Sequence, residues 1–465
     1  MNPQTYDIEV EVLVVGAGAT GLCAGLAARD GGAEVLVLER DETPRGSTSM
    51  SQGYVCAAGS KLQAAQGIED GADQFLRDIM ARSKGEADPI IARAMADHSG
   101  ATIDWLVERH DIPFRLNISW AGFFGHSVNR MHGVPSRTGE ELHGALIRAL
   151  AAAGGDLVTG AHVTEVFAGA DGQVNGVKMR RADGSEETIG CKALVLATSG
   201  FGANHDMVRK HIPDFGQAPY YRYFGHEGNE GEGIEWGMAL GAATGCMDAF
   251  QGYGALADAY GIIVNYEVVM HGGITVNAEG QRFSNENKDI SAQSLNILRQ
   301  PEGFGWIVFD DARRALVEHL PEFADLARLG AVRSAPDAAA LAEAIRVPAD
   351  ALAETLEDSR RMVRGEIPCP FGRDFTASAP LATGPLHAIR TTGALFHTQG
   401  GLMVDGGAQV LRPNGSRLPN LFAGGGAACS ISGTGCDGYL PAAGLAMAVV
   451  LGRLAGESAA KLIKN

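Results

Sequence analysis

Val12-Leu13-Val14-Val15-Gly16-Ala17-Gly18-Ala19-Thr20-Gly21 is the stretch on which the fold turns. An apolar run ends on Gly16, and a small-residue helix starts inside the glycine motif and runs to Asp30. A second apolar run, Val35-Leu36-Val37-Leu38, then ends in the carboxylate of Glu39. A GxGxxG alone is weak evidence; set between strand, helix, strand and acid, it is the signature of a dinucleotide-binding unit. Gly16 allows the tight turn, Gly18 lets backbone approach a pyrophosphate, and Gly21 lets helix and strand pack closely. The helix N-terminus offers free N–H groups to the phosphates, and Glu39 stands where a ribose 2′-hydroxyl donates. The competing reading is a βαβ unit whose glycines serve packing alone; the complete context favours a dinucleotide.

The rest of the 465-residue chain is long enough for two or three domains. A net charge of −17 argues against nucleic acid or an anionic membrane surface as partner. No apolar run is expected to span a membrane, and the polar opening over residues 1–7 is unlike a signal peptide. The seven cysteines are scattered, with no CxxC or CxxCH spacing, which fits reduced thiols in the cytoplasm and excludes an obvious zinc, cluster or haem site.

Along the chain, residues 41–59 form a Gly/Ser-rich loop suited to lie against a cofactor, and residues 72–110 read as helical. A polar cluster with His126, Arg130 and His132 follows, then a helix over residues 140–153 and strand-like segments up to Ala197-Thr198-Ser199-Gly200-Phe201-Gly202. Between about residues 247 and 397 the texture changes to short strands, a polar stretch over residues 281–289 and an Ala-rich, charged helical region over residues 310–364. Cofactor-type texture returns at His397-Thr398-Gln399-Gly400-Gly401 and Leu421-Phe422-Ala423-Gly424-Gly425-Gly426, before a last helix from about Pro441, with Arg453 and Lys461 expected to face solvent. The expected fold class is α/β, with a Rossmann-like dinucleotide domain split between residues 1–245 and 397–465 and an inserted α+β domain at residues 246–396.

These segments in this order resemble the flavoprotein family of fumarate reductases, succinate dehydrogenases and 3-ketosteroid dehydrogenases. The likeness is carried by the Gly16–Glu39 unit, the Ala197–Gly202 loop, Gly231-Glu232-Gly233-Ile234, Gly280-Gln281-Arg282-Phe283-Ser284-Asn285-Glu286, the His397 and Leu421 segments, and Gly452-Arg453-Leu454-Ala455-Gly456. The resemblance implies FAD, a split flavin domain and a capping insertion. By it, Glu39 with neighbouring Arg40 takes the adenosine ribose, and Gly16, Gly18, Ala19, Thr20 and Gly21 the pyrophosphate. Ser47, Thr48, Ser49, Gln52 and Gly53 line pyrophosphate and flavin, Val163 flanks the adenine, and Thr198, Gly200 and Gly425 border the cofactor. Ala443 to Leu445 cover the flavin N1/O2 edge, where a helix N-terminus stabilises negative charge. Members with covalent flavin carry a His near the position of Ser47; its absence implies non-covalent FAD. Gly426 stands where the family has Glu, so one usual contact is missing.

Fumarate reductases hold a dicarboxylate with two His and two Arg. At the corresponding places this chain has His397 for one His and Tyr253 for the other. It has Tyr439 for the clamping Arg and only Lys288 for the proton-delivering Arg. Each lost Arg removes charge-assisted hydrogen bonds worth roughly 1.5–3 kcal/mol apiece, and a Lys cannot reproduce the fork. Tyrosines here resemble the ketosteroid dehydrogenase branch, in which Tyr hydroxyls and a backbone N–H polarise a ketone. The expectation is hydride exchange between flavin N5 and a carbon next to a carbonyl, with a Tyr of lowered pKa handling the proton. Tyr253 and Tyr439 are the acid/base and electrophilic candidates, His397 a further polar contact, and each could instead be an ordinary half-buried structural residue. A fumarate-type reductase using Lys288, and a flavin-binding subunit without catalysis, remain rival readings. A two-nucleotide enzyme would need a second GxGxxG after a strand near mid-chain, and none is found there. The electron partner, a small-molecule donor or acceptor, stays open. Cys429 and Cys436 have a spacing that permits a redox pair, or are two small buried residues.

Overall fold

The computed structural model describes residues 5–117, 125–218 and 221–464, so residues 1–4 of the polar opening lie outside them. Two units emerge. The first joins Met1–Ile212, Gly225–Phe250 and His397–Asn465; the second joins Pro213–Phe224 and Gln251–Phe396. Set beside the expected boundaries, Pro213–Phe224 joins the second unit and the residues up to Phe250 stay with the first.

The first unit is built on a sheet of eight strands. At its centre is β1 (Ile8–Val15), flanked in parallel by β2 (Val35–Leu38), with Val12 opposite Val35 and Val15 opposite Leu38. Beyond β2 lies β3 (Asp156–Val158), also parallel. On the other side β1 pairs in parallel with β4 (Glu186–Leu196), and β4 with β5 (Arg417–Ala423). The strand Gln409–Leu411 adds an antiparallel edge. Strands covered on both faces read as unbroken apolar runs, which is why Val12 to Val15 and Ala193 to Leu196 are buried without alternation. The chain runs outward from β1 through β2 to β3, then restarts at β4 on the opposite side, so the order reverses beside the carboxyl end of β1. Ligands of open α/β sheets bind at such a reversal.

Helix α1 (Ala19–Asp30) follows β1, the short α2 (Gly46–Met50) follows β2, and α3 (Gly139–Ala152) precedes β3. The last helix, α4 (Ala443–Lys464), lies on α1. There Gly452 and Gly456 permit backbone-to-backbone approach: a Cβ on either would sit 2.4 Å from Thr20 O or 2.1 Å from Ala24 O. Where no spanning segment was expected, α4 is long and apolar enough by length and composition to cross a membrane, yet 67% of its most apolar window is buried within the protein, as a core helix is. Arg453, expected to face solvent, instead lies over the Trp105 ring at 5.2 Å and donates to Ala101 O at 2.8 Å.

The second unit is a seven-stranded sheet around Leu386–Thr398, which pairs antiparallel with Phe304–Asp310 on one side and with Val332–Ala335 on the other. Successive side chains of Phe304–Asp310 point to opposite faces. Phe304, Trp306 and Val308 join one apolar cluster with Leu341, Leu352 and Leu386; Ile307 and Phe309 join another with Phe323, Leu326 and Val268. Two expected helical regions are interrupted. Residues 72–110 break into Ala72–Arg82 and Pro89–His110, because Pro89 lacks an N–H and Asp88 caps the new start. Residues 310–364 contain the strand Val332–Ala335, drawn out of helix by its pairing with Leu386 to Ile389.

Candidate active site

Three loops at the carboxyl ends of β1, β4 and β5 come together. Gly16 has φ +103°, and a Cβ there would sit 2.4 Å from Ala197 O, so only glycine fits between the β1 and β4 ends. Gly425, after β5, has φ +58°, and its Cβ position lies 2.3 Å from Thr20 Oγ1. Gly200 packs on Thr398, whose Oγ1 accepts from Phe201 N at 3.1 Å. Helix α1 begins at Gly18 with no side-chain cap of its own and no acid in its first turn. Thr48 Oγ1, reaching over from α2, accepts from Ala19 N at 2.9 Å. Glu39 accepts from Ala17 N at 2.8 Å and from Asp41 N at 3.1 Å, so its carboxylate also shapes the turn.

Whether these residues suit FAD can be judged from the geometry. A helix start without acid favours an anion such as a pyrophosphate. Thr198 Oγ1, in the loop after β4, is buried without a hydrogen-bond partner among the described residues, an orphan that a bound cofactor can satisfy. The residues fit. Around them, Ser47 Oγ accepts from Asn229 Nδ2 at 2.8 Å, and Ser49 Oγ lies 3.0 Å from His143 Nδ1, whose other nitrogen lies 2.7 Å from Ala17 O. Gly53 is pressed against Thr138 O, Gln52 is exposed, and Val163 is a buried residue of the hairpin strand Ala161–Ala168. Arg40 bridges Glu230 at 3.3 Å and Glu232 at 3.5 Å. Ala443 is buried and Leu445 half-buried at the start of α4.

The side chains expected to do chemistry divide between the units. In the first, His397 and Tyr439 meet edge to face with ring centroids 5.5 Å apart, against Gly444 in the first turn of α4. Burial raises the Tyr439 hydroxyl above its usual range, and the Gly444 N–H directed at its oxygen offsets only part of that. Burial pushes His397 down to about 4, so its imidazole is neutral near pH 7. In the second unit, Tyr253 stacks on Phe396 at 4.8 Å and donates to Val264 O at 2.8 Å. Burial raises its hydroxyl as well. The expected lowering of a Tyr pKa is therefore corrected for both residues, because desolvation by burial dominates. Lys288, also in the second unit, is exposed.

Two features escaped the sequence reading, and a third, the cluster of His126 and Arg130, was noticed there without an assigned role. Arg82 Nε donates to Tyr439 O at 3.0 Å, a contact between residues far apart in the chain with no motif to announce it. Gln399 touches His397 from inside a motif that drew attention only to the His. His126 Nε2 donates to Pro441 O at 3.0 Å, and Arg130 is enclosed by Asp70 and Asp78, so this cluster anchors the approach to α4. Cys429 and Cys436 do not pair: Cys429 meets the Cys246 thiol, and Cys436 faces Asp437 at 3.1 Å.

The family model described as FAD binding domain matches residues 11–444. The chain is 30% identical to NADH:fumarate oxidoreductase of Klebsiella pneumoniae (strain 342), over 99% of this chain and 48% of that protein, so it spans about half of that relative. It is 28% identical to 4-oxocyclohexanecarboxylate 2-dehydrogenase of Sinomonas cyclohexanicum, over 98% of this chain and 93% of that one. A solved structure of the open conformation of a flavocytochrome c3 fumarate reductase superposes with a TM-score of 0.84 at 28% identity, covering 99% of this chain and 79% of that one. With the glycine cradle, the sheet reversal and a match over nearly its whole length, the chain belongs to the FAD binding domain family, among the flavoproteins related to fumarate reductases.

Proposed function

We propose that this protein is an FAD-dependent oxidoreductase acting on the carbon–carbon bond next to a carbonyl, in a fairly apolar ketone or enone. The observation that carries the reading is the neutral pair of His397 and Tyr439 at the N-terminus of α4, where fumarate reductases are expected to place a clamping Arg. FAD, held by the β1, β4 and β5 loops, supplies the two-electron exchange with that bond. Tyr439 offers its hydroxyl proton and His397 a ring N–H to a carbonyl oxygen, stabilising the charge that grows there as the α-carbon gains or loses its proton. Because burial keeps Tyr439 protonated, it serves as donor and acid more readily than as base, which favours the reductive direction at neutral pH. Tyr253, whose hydroxyl donates to Val264 O, and the exposed Lys288, both in the second unit, are taken as further candidates. The likeness to 4-oxocyclohexanecarboxylate 2-dehydrogenase supports a carbonyl-bearing substrate. FAD is taken as non-covalent, the second unit as the cap, the cytoplasm as the compartment and an external small-molecule carrier as the electron partner.

A second reading, a carboxylate-bearing enoate, is favoured by the likeness to NADH:fumarate oxidoreductase and by Arg82 beside Tyr439. Mixing the chemically reduced holoenzyme with 2-cyclohexenone or with fumarate, and following flavin reoxidation, separates the two. Faster reoxidation by the enone, slowed in Tyr439→Phe and Tyr253→Phe, supports the first. Reoxidation by fumarate alone, or unchanged enone rates in both variants, overturns it.

A further inference from the structure

His143, on α3, is 3% exposed and touches two parts of the cradle. Its Nε2 donates to Ala17 O at 2.7 Å, and its Nδ1 lies 3.0 Å from Ser49 Oγ on α2. A carbonyl oxygen only accepts, so the ring proton sits on Nε2. Burial holds His143 below its usual range, so the ring is neutral near pH 7 and Nδ1 is left to accept the Ser49 hydroxyl. The helix that carries the ring is seated directly on α2. Gly139 N donates to Ser51 O at 2.8 Å, and a Cβ on Gly139 would overlap the Thr48 carbonyl.

The turn after β1 is pinned peptide by peptide. Ala17 N donates to Glu39 Oε2 at 2.8 Å and Ala19 N to Thr48 Oγ1 at 2.9 Å. Between them lies the peptide that joins Ala17 O to Gly18 N, and among the described residues no acceptor meets the Gly18 N–H. This peptide is trans, and in a trans peptide the carbonyl and the N–H point opposite ways. Tying Ala17 O to α3 therefore turns the Gly18 N–H away from α3. Ala17 is 1% exposed, so without His143 its carbonyl would be buried and unpaired. Glycine at position 18 would let the peptide rotate to relieve that. The N–H left over belongs to the glycine whose backbone approaches a pyrophosphate in such a motif.

We propose that His143 is a positioning residue for the cofactor: gripped by Ser49, it holds the Ala17 carbonyl and so aims the Gly18 N–H at the pyrophosphate. This role needs FAD and is independent of the substrate proposed above.

The test uses the full-length FAD-loaded protein and three replacements. His143→Gln carries an amide long enough to donate to Ala17 O while its oxygen receives Ser49. His143→Asn has the same groups on a shorter stem that reaches Ser49 only, and His143→Leu has neither. FAD release on dilution, followed by flavin fluorescence, gives the dissociation constant of each. It is expected to rise on the order of tenfold to a hundredfold in His143→Asn and His143→Leu, the scale of one hydrogen bond to a charged group. In His143→Gln it is expected to stay within about threefold of wild type. Phosphorus NMR of the bound cofactor supplies a readout that packing alone would not move: the pyrophosphate resonances should shift in His143→Asn and His143→Leu and coincide with wild type in His143→Gln. Wild-type affinity in His143→Asn, or binding by His143→Gln as weak as that of His143→Asn, overturns the proposal. Should His143→Leu fail to fold, the two amide variants, alike in polarity and different in reach, decide it.

Discussion

Tyr439 and Glu286 are both buried acids, and their opposite shifts show that partners decide what burial does. Desolvation raises the Tyr439 phenol, and one backbone N–H is too weak to reverse it. Glu286 is fully enclosed, yet its carboxyl is held below the usual range. Desolvation pushes it up, but Arg282 meets both oxygens at 2.8 Å, Arg373 adds a contact at 3.1 Å, and Thr275 N donates at 3.1 Å. Replacing Tyr439 by Phe is expected to slow enone reduction on the order of a hundredfold, the typical loss of one donor aimed at a developing oxyanion. Stopped-flow flavin reoxidation measures it. Replacing Glu286 by Gln leaves two guanidinium groups buried without a counter-charge and is expected to destabilise the second unit by about 3–5 kcal/mol. The depressed carboxyl also sets a pH dependence. Its stabilising contribution is full above the unfolded value of about 4.3 and disappears as pH falls through the folded one. Wild-type thermal midpoints should therefore drop on acidification below about pH 5, and Glu286→Gln should be low already at pH 7 and flatter below it. Neither shift could be read in the sequence. Glu286 stood out there only within a polar stretch and a motif of the family resemblance, because the guanidinium of Arg373 that meets it comes from a distant segment.

At the scale of elements, the cofactor cradle is a set of close backbone approaches. The turn after β1 was legible because strand, glycines and helix are contiguous, and local pattern suffices for contiguous parts. The contact of α1 with α4 was not, although Gly452 and Gly456 are plain in the sequence, since nothing local says which helix they will meet. Their cost is now predictable. A valine at Gly456 places its Cβ 2.1 Å from Ala24 O, a backbone atom that cannot swing aside. Overpacking of this kind costs about 1–3 kcal/mol and here pushes α1 off its place under the glycine turn. Gly456→Val should lower the thermal midpoint and release FAD on gel filtration; a variant that keeps its flavin at wild-type affinity would argue against the helix contact as a support of the cradle. Thr48→Ala removes the hydroxyl that receives Ala19 N and should cost about 1 kcal/mol, as the loss of other helix caps does. Its effect should be smaller in the FAD-loaded protein, where phosphate oxygens are available to the same helix end.

The whole molecule consists of one unit assembled from three stretches of chain and another from two, each with its own sheet. The interruption was legible as a change of texture near residues 247 and 397, because the strands on either side of it alternate differently from the buried parallel runs. The return of Pro213–Phe224 to the second unit was not legible, since Arg222 and Tyr223 join the sheet only by pairing with Ala394 and Leu395. Units with separate cores need not unfold together, and chains of this kind depart from two-state behaviour. The cradle residues all belong to the first unit, whereas the buried Glu286 cluster belongs wholly to the second. Calorimetry should accordingly resolve two transitions that answer to different handles. Free FAD at about a hundred times its dissociation constant should stabilise the first unit by about 2.7 kcal/mol and raise only its transition. Glu286→Gln should lower only the other. Gly456→Val should act on the transition that FAD moves and weaken its response to FAD. A single transition that shifts with every one of these changes would mean that the two units share one cooperative core, and the cradle would then have to be explained as a property of the whole chain.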